Sequence, residues 1–186
     1  MNSSELIEFE KEVAAAFERK EIRGPIHLVG GNEAQLIEIF NGIKPDDWVL
    51  STWRSHYHAL LHGVPKERVM ADILAGKSMQ LHYPEYRFLT SAIVGGICPI
   101  AVGLAAGGQR VFCFVGDMAA ETGIFHECVK YAEGHGLPVT FIIEDNGLAT
   151  NTPTAETWGN KDALCVDHYY YKRTKPHCGS GTYVQF

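Results

Sequence analysis

Basic residues are in the minority: 16 lysines and arginines stand against 22 aspartates and glutamates, a formal net charge of -6. No overall cationic field draws nucleic acid or an anionic membrane to such a chain, although a small local pocket for a phosphate is compatible with it. The five cysteines (Cys98, Cys113, Cys128, Cys165 and Cys178) include no CxxC pair and lie mostly in apolar segments. That removes zinc and disulfide frameworks and leaves reduced core thiols. No long apolar run is unbroken, since AIVGGICPIAVGLAAGG carries Pro99 and five glycines, so a membrane span is not expected. The opening MNSSELIEFEKEV is acidic and amphipathic where a secretory or transit peptide is basic, so the expected location is cytoplasmic. Neither GxGxxG nor GxxxxGK[ST] occurs, which places a nucleotide-binding α/β domain of another family last among the readings.

What is present is an ordinary globular composition, 46% apolar and 20% charged with 19 glycines, in 186 residues. That length accommodates one well-buried domain, so 1–186 is expected to form a single domain. SSELIEFEKEVAAAFERKE predicts a helix with serine caps, and GGNEAQLIEIFNG another with Asn32 as cap and Gly42 as stop. DDWVLST predicts a short strand, and PKERVMADILAG a helix opened by proline and closed by glycine. From Lys77 to Thr90 no period is visible, and an irregular loop is expected.

The clearest unit starts at Arg110. RVFCFV reads as a buried strand, AETGIFHECVKYAEGHG as a helix and PVTFIIE as a second strand, which together make a β-α-β crossover. Right-handed crossover returns the second strand parallel to the first, so both C-terminal ends face one crevice. Asp117 and Asn146 stand at those ends. A carboxylate and a neutral amide oxygen are two hard ligands, too few for a full cage, which suits Mg²⁺ completed by water and substrate phosphate. The Leu148 carbonyl lies two residues further on. Ala119 and Ala120 open the following helix, whose N–H groups and dipole favour an anion. Residue type alone leaves the plainer alternative standing, that each is a turn or cap residue.

The stretch resembles the cofactor motif of thiamine diphosphate enzymes: GDM at 116–118 and DN at 145–146 enclose 26 residues. Upstream, RGPIHLVGGNEA, KPDDWVLSTWRSHYHALLHGVPKERVMADILAGK and AIVGGICPIAVGLA resemble, in order, blocks of the alpha subunit of 2-oxo acid dehydrogenase decarboxylase components. The resemblance covers residues 20 to 155. It implies an α/β fold, a three-layer, mostly parallel thiamine diphosphate-binding domain of the diphosphate-binding type. It makes Asp117, the Asn146 side chain and the Leu148 carbonyl the magnesium ligands. Gly116, Met118 and Ala119 would lie against the diphosphate, with Trp53 and Arg54 on its other side. Ala92 and Val94 fall in a further block that contacts the cofactor. His27 and His56 fall where family histidines face the active-site entrance, with a surface or core imidazole the equal alternative at each; His58 is read as structural.

Three departures stand out. Met118 replaces a glycine, and Asp145 replaces the first asparagine of the second motif, adding charge beside the expected metal. Glu121 adds a further anion on the first helical turn. Family alpha subunits also continue well past the second motif with a histidine-bearing loop that covers the active site. Here one strand and a tail, CVDHYYYKRTKPHCGSGTYVQF, are expected to follow. The resemblance further implies that the glutamate acting on the cofactor's aminopyrimidine comes from a pyrimidine-binding beta-type subunit, giving an α₂β₂ assembly inactive without it. The leading expectation is such an alpha-type subunit acting on a 2-oxo acid. Set against it are the amino-terminal half of a split transketolase-like enzyme and a non-catalytic assembly protein with a decayed metal site. The small residues of AIVGGICPIAVGLAAGG suit close packing, within the domain or against another subunit.

Overall fold

The structure, a computed structural model, describes residues 1–159 and 166–178. It opens with α1 (Ser3–Glu18), and the cap is Asn2, not the expected serines. Asn2 Oδ1 accepts from Glu5 N at 3.0 Å while Glu5 Oε2 accepts from Asn2 N at 2.7 Å, a reciprocal capping box. Helix α2 (Glu33–Phe40) follows and leads to strand β1 (Trp48–Ser51). Asn32 occupies the cap position of α2 without a capping bond, and its Nδ2 donates to Tyr169 Oη at 3.1 Å.

Helix α3 (His56–Leu61) was not anticipated: it is short and buried nearly all round, so it has no apolar period to read. Helix α4 (Lys66–Leu74) forms as expected from its opening proline. The stretch without a period holds β2 (His82–Tyr83), a 3₁₀ turn at Pro84–Tyr86 and β3 (Phe88–Thr90), each too short to show one. Then come α5 (Ile97–Ala106), β4 (Val111–Gly116) and, in place of one helix, two: α6 (Asp117–Ala120) and α7 (Gly123–His135). Thr122 makes the break, its hydroxyl donating to Ala119 O at 2.7 Å and its backbone turning extended at ψ 146°. Gly136, at φ +60°, ends α7 in the left-handed region that glycine adopts without strain. Strand β5 (Val139–Asp145), a small hairpin of β6 (Leu148–Ala149) and β7 (Thr152–Pro153), α8 (Thr154–Trp158) and β8 (Asp167–Tyr170) complete the described chain.

Six strands form one sheet in the order β2-β3-β1-β4-β5-β8, parallel throughout except for β2 against β3. The α/β class and the mostly parallel sheet are as the sequence implied. Both faces of the sheet are covered. Along β4, Phe112 and Phe114 point into a core built with α1 to α4, while Val111, Cys113 and Val115 point into a second core with α5 and α7. A strand covered on both faces reads as an unbroken apolar run, which is why RVFCFV was legible. Cys98, Cys113 and Cys128 are buried free thiols, and Cys178 is a partly buried one; Cys165 lies outside the described residues. Among the described residues no helix is long and apolar enough to cross a membrane.

Candidate functional site

All the parallel strands end at one edge of the sheet. From β1 the chain moves to β3 on one side and later to β4 on the other, so the ends of β1 and β4 flank the point where strand order reverses. Crevices of open α/β sheets form at that point. Here a cavity of about 140 Å³ is lined by Trp53 and Arg54 beyond β1, by Gly116, Asp117, Met118 and Ala119 beyond β4, and by Asn146 and Leu148 beyond β5. Val94 reaches it from the turn before α5.

Register brings the two motif positions together. Gly116 pairs with Glu144, so Asp117 is level with Asp145, and Asn146 is the next residue along. Asp117 is buried, and the Thr154 hydroxyl donates to its Oδ2. Thr154 is placed there by the β6–β7 hairpin, whose closure lets Thr154 N donate to Gly147 O at 3.0 Å. Asn146 is oriented through its amide, Nδ2 donating to Tyr171 Oη at 2.9 Å, which leaves Oδ1 buried with no hydrogen-bond partner. A buried acceptor left open costs about 1–3 kcal/mol unless something donates to it or coordinates it. Beside a carboxylate, that vacancy fits a hard cation. Among the described residues no group of three His, Cys, Asp or Glu comes together, so further ligands would come from the backbone and a bound anion.

Arg54 supplies positive charge on the opposite wall. Its Nη1 donates to Leu28 O at 2.8 Å, and Nη2 lies 2.7 Å from His177 Nδ1. Burial, then the charge of Arg173, pushes the Arg54 pKa down to about 10. Trp53 Nε1 is a buried donor without a partner.

The family model described as the dehydrogenase E1 component matches residues 1–165. The chain belongs to the dehydrogenase E1 component family. The alpha subunit of the pyruvate dehydrogenase E1 component of Porphyra purpurea is 32% identical over 164 residues, covering 76% of this chain and 48% of that protein. The mitochondrial counterpart of Dictyostelium discoideum is 29% identical, covering 90% of this chain and 51% of that protein. The alpha subunit of the acetoin:2,6-dichlorophenolindophenol oxidoreductase of Cupriavidus necator is 30% identical, covering 78% and 48% respectively. This chain thus spans about half the length of these curated relatives.

Within this E1-component chain, the remaining positions fall in three groups. Ala92 is partly buried just beyond β3 and does not line the cavity. His27 packs edge-on to Trp53 and stacks on His177 at 4.6 Å between ring centroids, one shell back from the cavity. Burial, then Arg54, drives its pKa down to about 3, so it is neutral at physiological pH. His56 is core: it is buried, its Nε2 lies 2.8 Å from Ser78 Oγ, and burial, then His58, lowers its pKa to about 4. His58 is buried too, its Nε2 3.2 Å from Glu144 Oε1 without hydrogen-bond alignment.

Asp145 is buried beside Asn146. Its Oδ1 accepts from Gly147 N at 2.7 Å and its Oδ2 lies 3.1 Å from His168 Nε2, so it fastens the turn that presents Asn146. Met118 lines the cavity and its sulfur accepts from Trp158 Nε1 at 2.9 Å. Sequence reading missed Thr154, Tyr171 and Glu144. Tyr171 and Thr154 lie outside the spaced motif and reach it only through β8 and the β6–β7 hairpin. Glu144 has an identifiable signal, an acid at the end of an otherwise apolar strand; it is buried and accepts from Tyr169 Oη at 2.5 Å.

Proposed function

We propose that this chain is the diphosphate-binding, alpha-type subunit of a thiamine diphosphate- and magnesium-dependent enzyme acting on a 2-oxo acid. The observation that carries the reading is the pairing of buried Asp117 with the partnerless Asn146 Oδ1 at adjacent ends of β4 and β5, facing Arg54 across one cavity. Asp117, Asn146 and the Leu148 carbonyl would hold magnesium. Thr154 and Tyr171 fix the two side chains before the ion arrives, which lowers the cost of ordering them on binding. Gly116, Met118 and Ala119 would lie along the diphosphate, with the Arg54 fork and Trp53 Nε1 donating from the other wall. Ala92 and His27 would act at the edge of the cofactor site, and His56 would support it from the core. When bound, the cofactor supplies a nucleophilic carbon for attack on the substrate carbonyl and a sink for the electron pair released on decarboxylation.

The relatives named here include a pyruvate and an acetoin enzyme, and their alpha-subunit names support a chain that works with a second subunit. The reading therefore assigns the whole of 1–186 to one thiamine diphosphate-binding domain and gives the acid facing the aminopyrimidine to a pyrimidine-binding beta-type partner, in an α₂β₂ assembly. The test is release of carbon dioxide from a panel of 2-oxo acids by the purified chain, with and without that partner. Turnover only in the mixture is expected. Turnover by the chain alone overturns the division of labour, and none in the mixture on any 2-oxo acid overturns the substrate class.

A further inference from the structure

The segment that follows β8 runs along the rim of the cavity and is pinned there. Thr174 N donates to Val29 O at 3.3 Å and Gly30 O at 3.2 Å, and Arg173 Nη2 donates to Thr150 O at 3.1 Å. Arg173 Nη1 is buried and has no hydrogen-bond partner. A guanidinium cannot shed its proton in a protein, so an unmade bond at a buried nitrogen is a standing penalty, larger than a neutral group would carry. Trp53 Nε1, in the cavity wall, is a second buried donor without a partner. Trp53 and Asn146, with its open acceptor Oδ1, line the cavity, and Arg173 stands directly behind the lining residue Thr150, whose carbonyl it holds.

Charge points the same way. Burial, then the charge of Arg173, depresses Arg54, while burial lowers Arg173 against the pull of Tyr171 and Asp117. A cationic group that weighs on Arg54 in this way is relieved by an anion near both, and a fork matches phosphate oxygens in pairs. We propose that Arg173 is a second diphosphate-binding residue of this site, donating from Nη1 to the anion that Arg54 contacts from the far wall. The segment after β8 thereby becomes part of the binding site and no longer a simple tail. The inference rests on the magnesium diphosphate reading given above.

The alternative is that Arg173 only pins the Thr150 carbonyl. Titration of the full chain by calorimetry, in excess Mg²⁺, with inorganic pyrophosphate and with orthophosphate separates the two. The wild type, Arg173→Gln and Arg173→Lys are compared after circular dichroism has shown each to be folded. Loss of a charge-assisted bond predicts that pyrophosphate binding weakens about 10- to 100-fold in the glutamine variant. Orthophosphate, the shorter anion, should weaken much less, and lysine should recover part of the loss. Equal weakening toward both anions, or no weakening, overturns the role of Arg173 and leaves the site reading intact. If the glutamine variant does not fold, the lysine variant decides, since a fork-dependent contact predicts a selective loss for pyrophosphate there as well. Absence of pyrophosphate binding by the wild type overturns the underlying reading, and this inference with it.

Discussion

Replacing Glu10 by glutamine changes one buried charge beneath the site, and the pH dependence of the effect follows from the structure. Glu10 sits on α1, 2% exposed, and accepts the Val29 N–H with both carboxylate oxygens at 3.0 and 3.3 Å; Val29 in turn lines the cavity. Burial raises its pKa from 4.5 to about 7, against the opposing pull of the Val29 N–H, Tyr57 and Lys175. An unfolded chain therefore releases this proton near pH 4.5 while the folded chain keeps it to about pH 7. The stability that Glu10 contributes is full below pH 4.5 and is lost as pH rises to about 7. At about 1.4 kcal/mol per pH unit the loss amounts to about 3 kcal/mol.

His27 and His56 act in the opposite direction over an overlapping range. Their folded pKa values are lowered to about 3 and about 4, so they withdraw stability as pH falls below the ordinary imidazole value of 6.5. The difference between wild type and Glu10→Gln cancels those terms and isolates Glu10. Urea unfolding at a series of pH values should show the variant gaining about 3 kcal/mol on the wild type between pH 4.5 and 7, then no further change. A difference that stays flat across that interval would show that Glu10 does not hold its proton in the folded chain.

Other substitutions probe how the site is assembled. Thr154→Val removes the donor to the buried Asp117 Oδ2 and should cost about 1–3 kcal/mol in denaturant unfolding, with little change if the bond is dispensable. Gly31→Ala places a Cβ 2.3 Å from Lys172 O at φ +96°, so backbone must move. A cost of about 1–3 kcal/mol is expected, with faster amide exchange at Thr174; unchanged exchange there would show that the segment after β8 does not depend on this close approach.

Legibility in the sequence followed physical period and spacing. The β4–α7–β5 crossover was readable because strands covered on both faces are continuous apolar runs and because acid and amide terminate them. Helix α3 was not, being short and buried on every side, and β2 and β3 are too brief for alternation to register. The spaced pair Asp117 and Asn146 was legible from the two strand ends, whereas Arg54 came only from the family resemblance; all three line one cavity. Asp145 shows the limit of reading charge from a string: its carboxylate closes a local turn through Gly147 N–H, a use that residue type alone cannot distinguish from metal binding. Arg173 and Tyr171 were invisible because their relation to the motif exists only after β8 joins the edge of the sheet beside β5.

In the function proposed above, Asp117 and Asn146 would hold the magnesium ion that diphosphate binding requires. The measurement to make is calorimetric titration of thiamine diphosphate into the full chain, with Mg²⁺ and with EDTA, for the wild type and Asp117→Ala. Binding should require Mg²⁺ and be abolished in Asp117→Ala. Binding unchanged by EDTA, or retained in a folded Asp117→Ala variant, would rule out magnesium held by this pair.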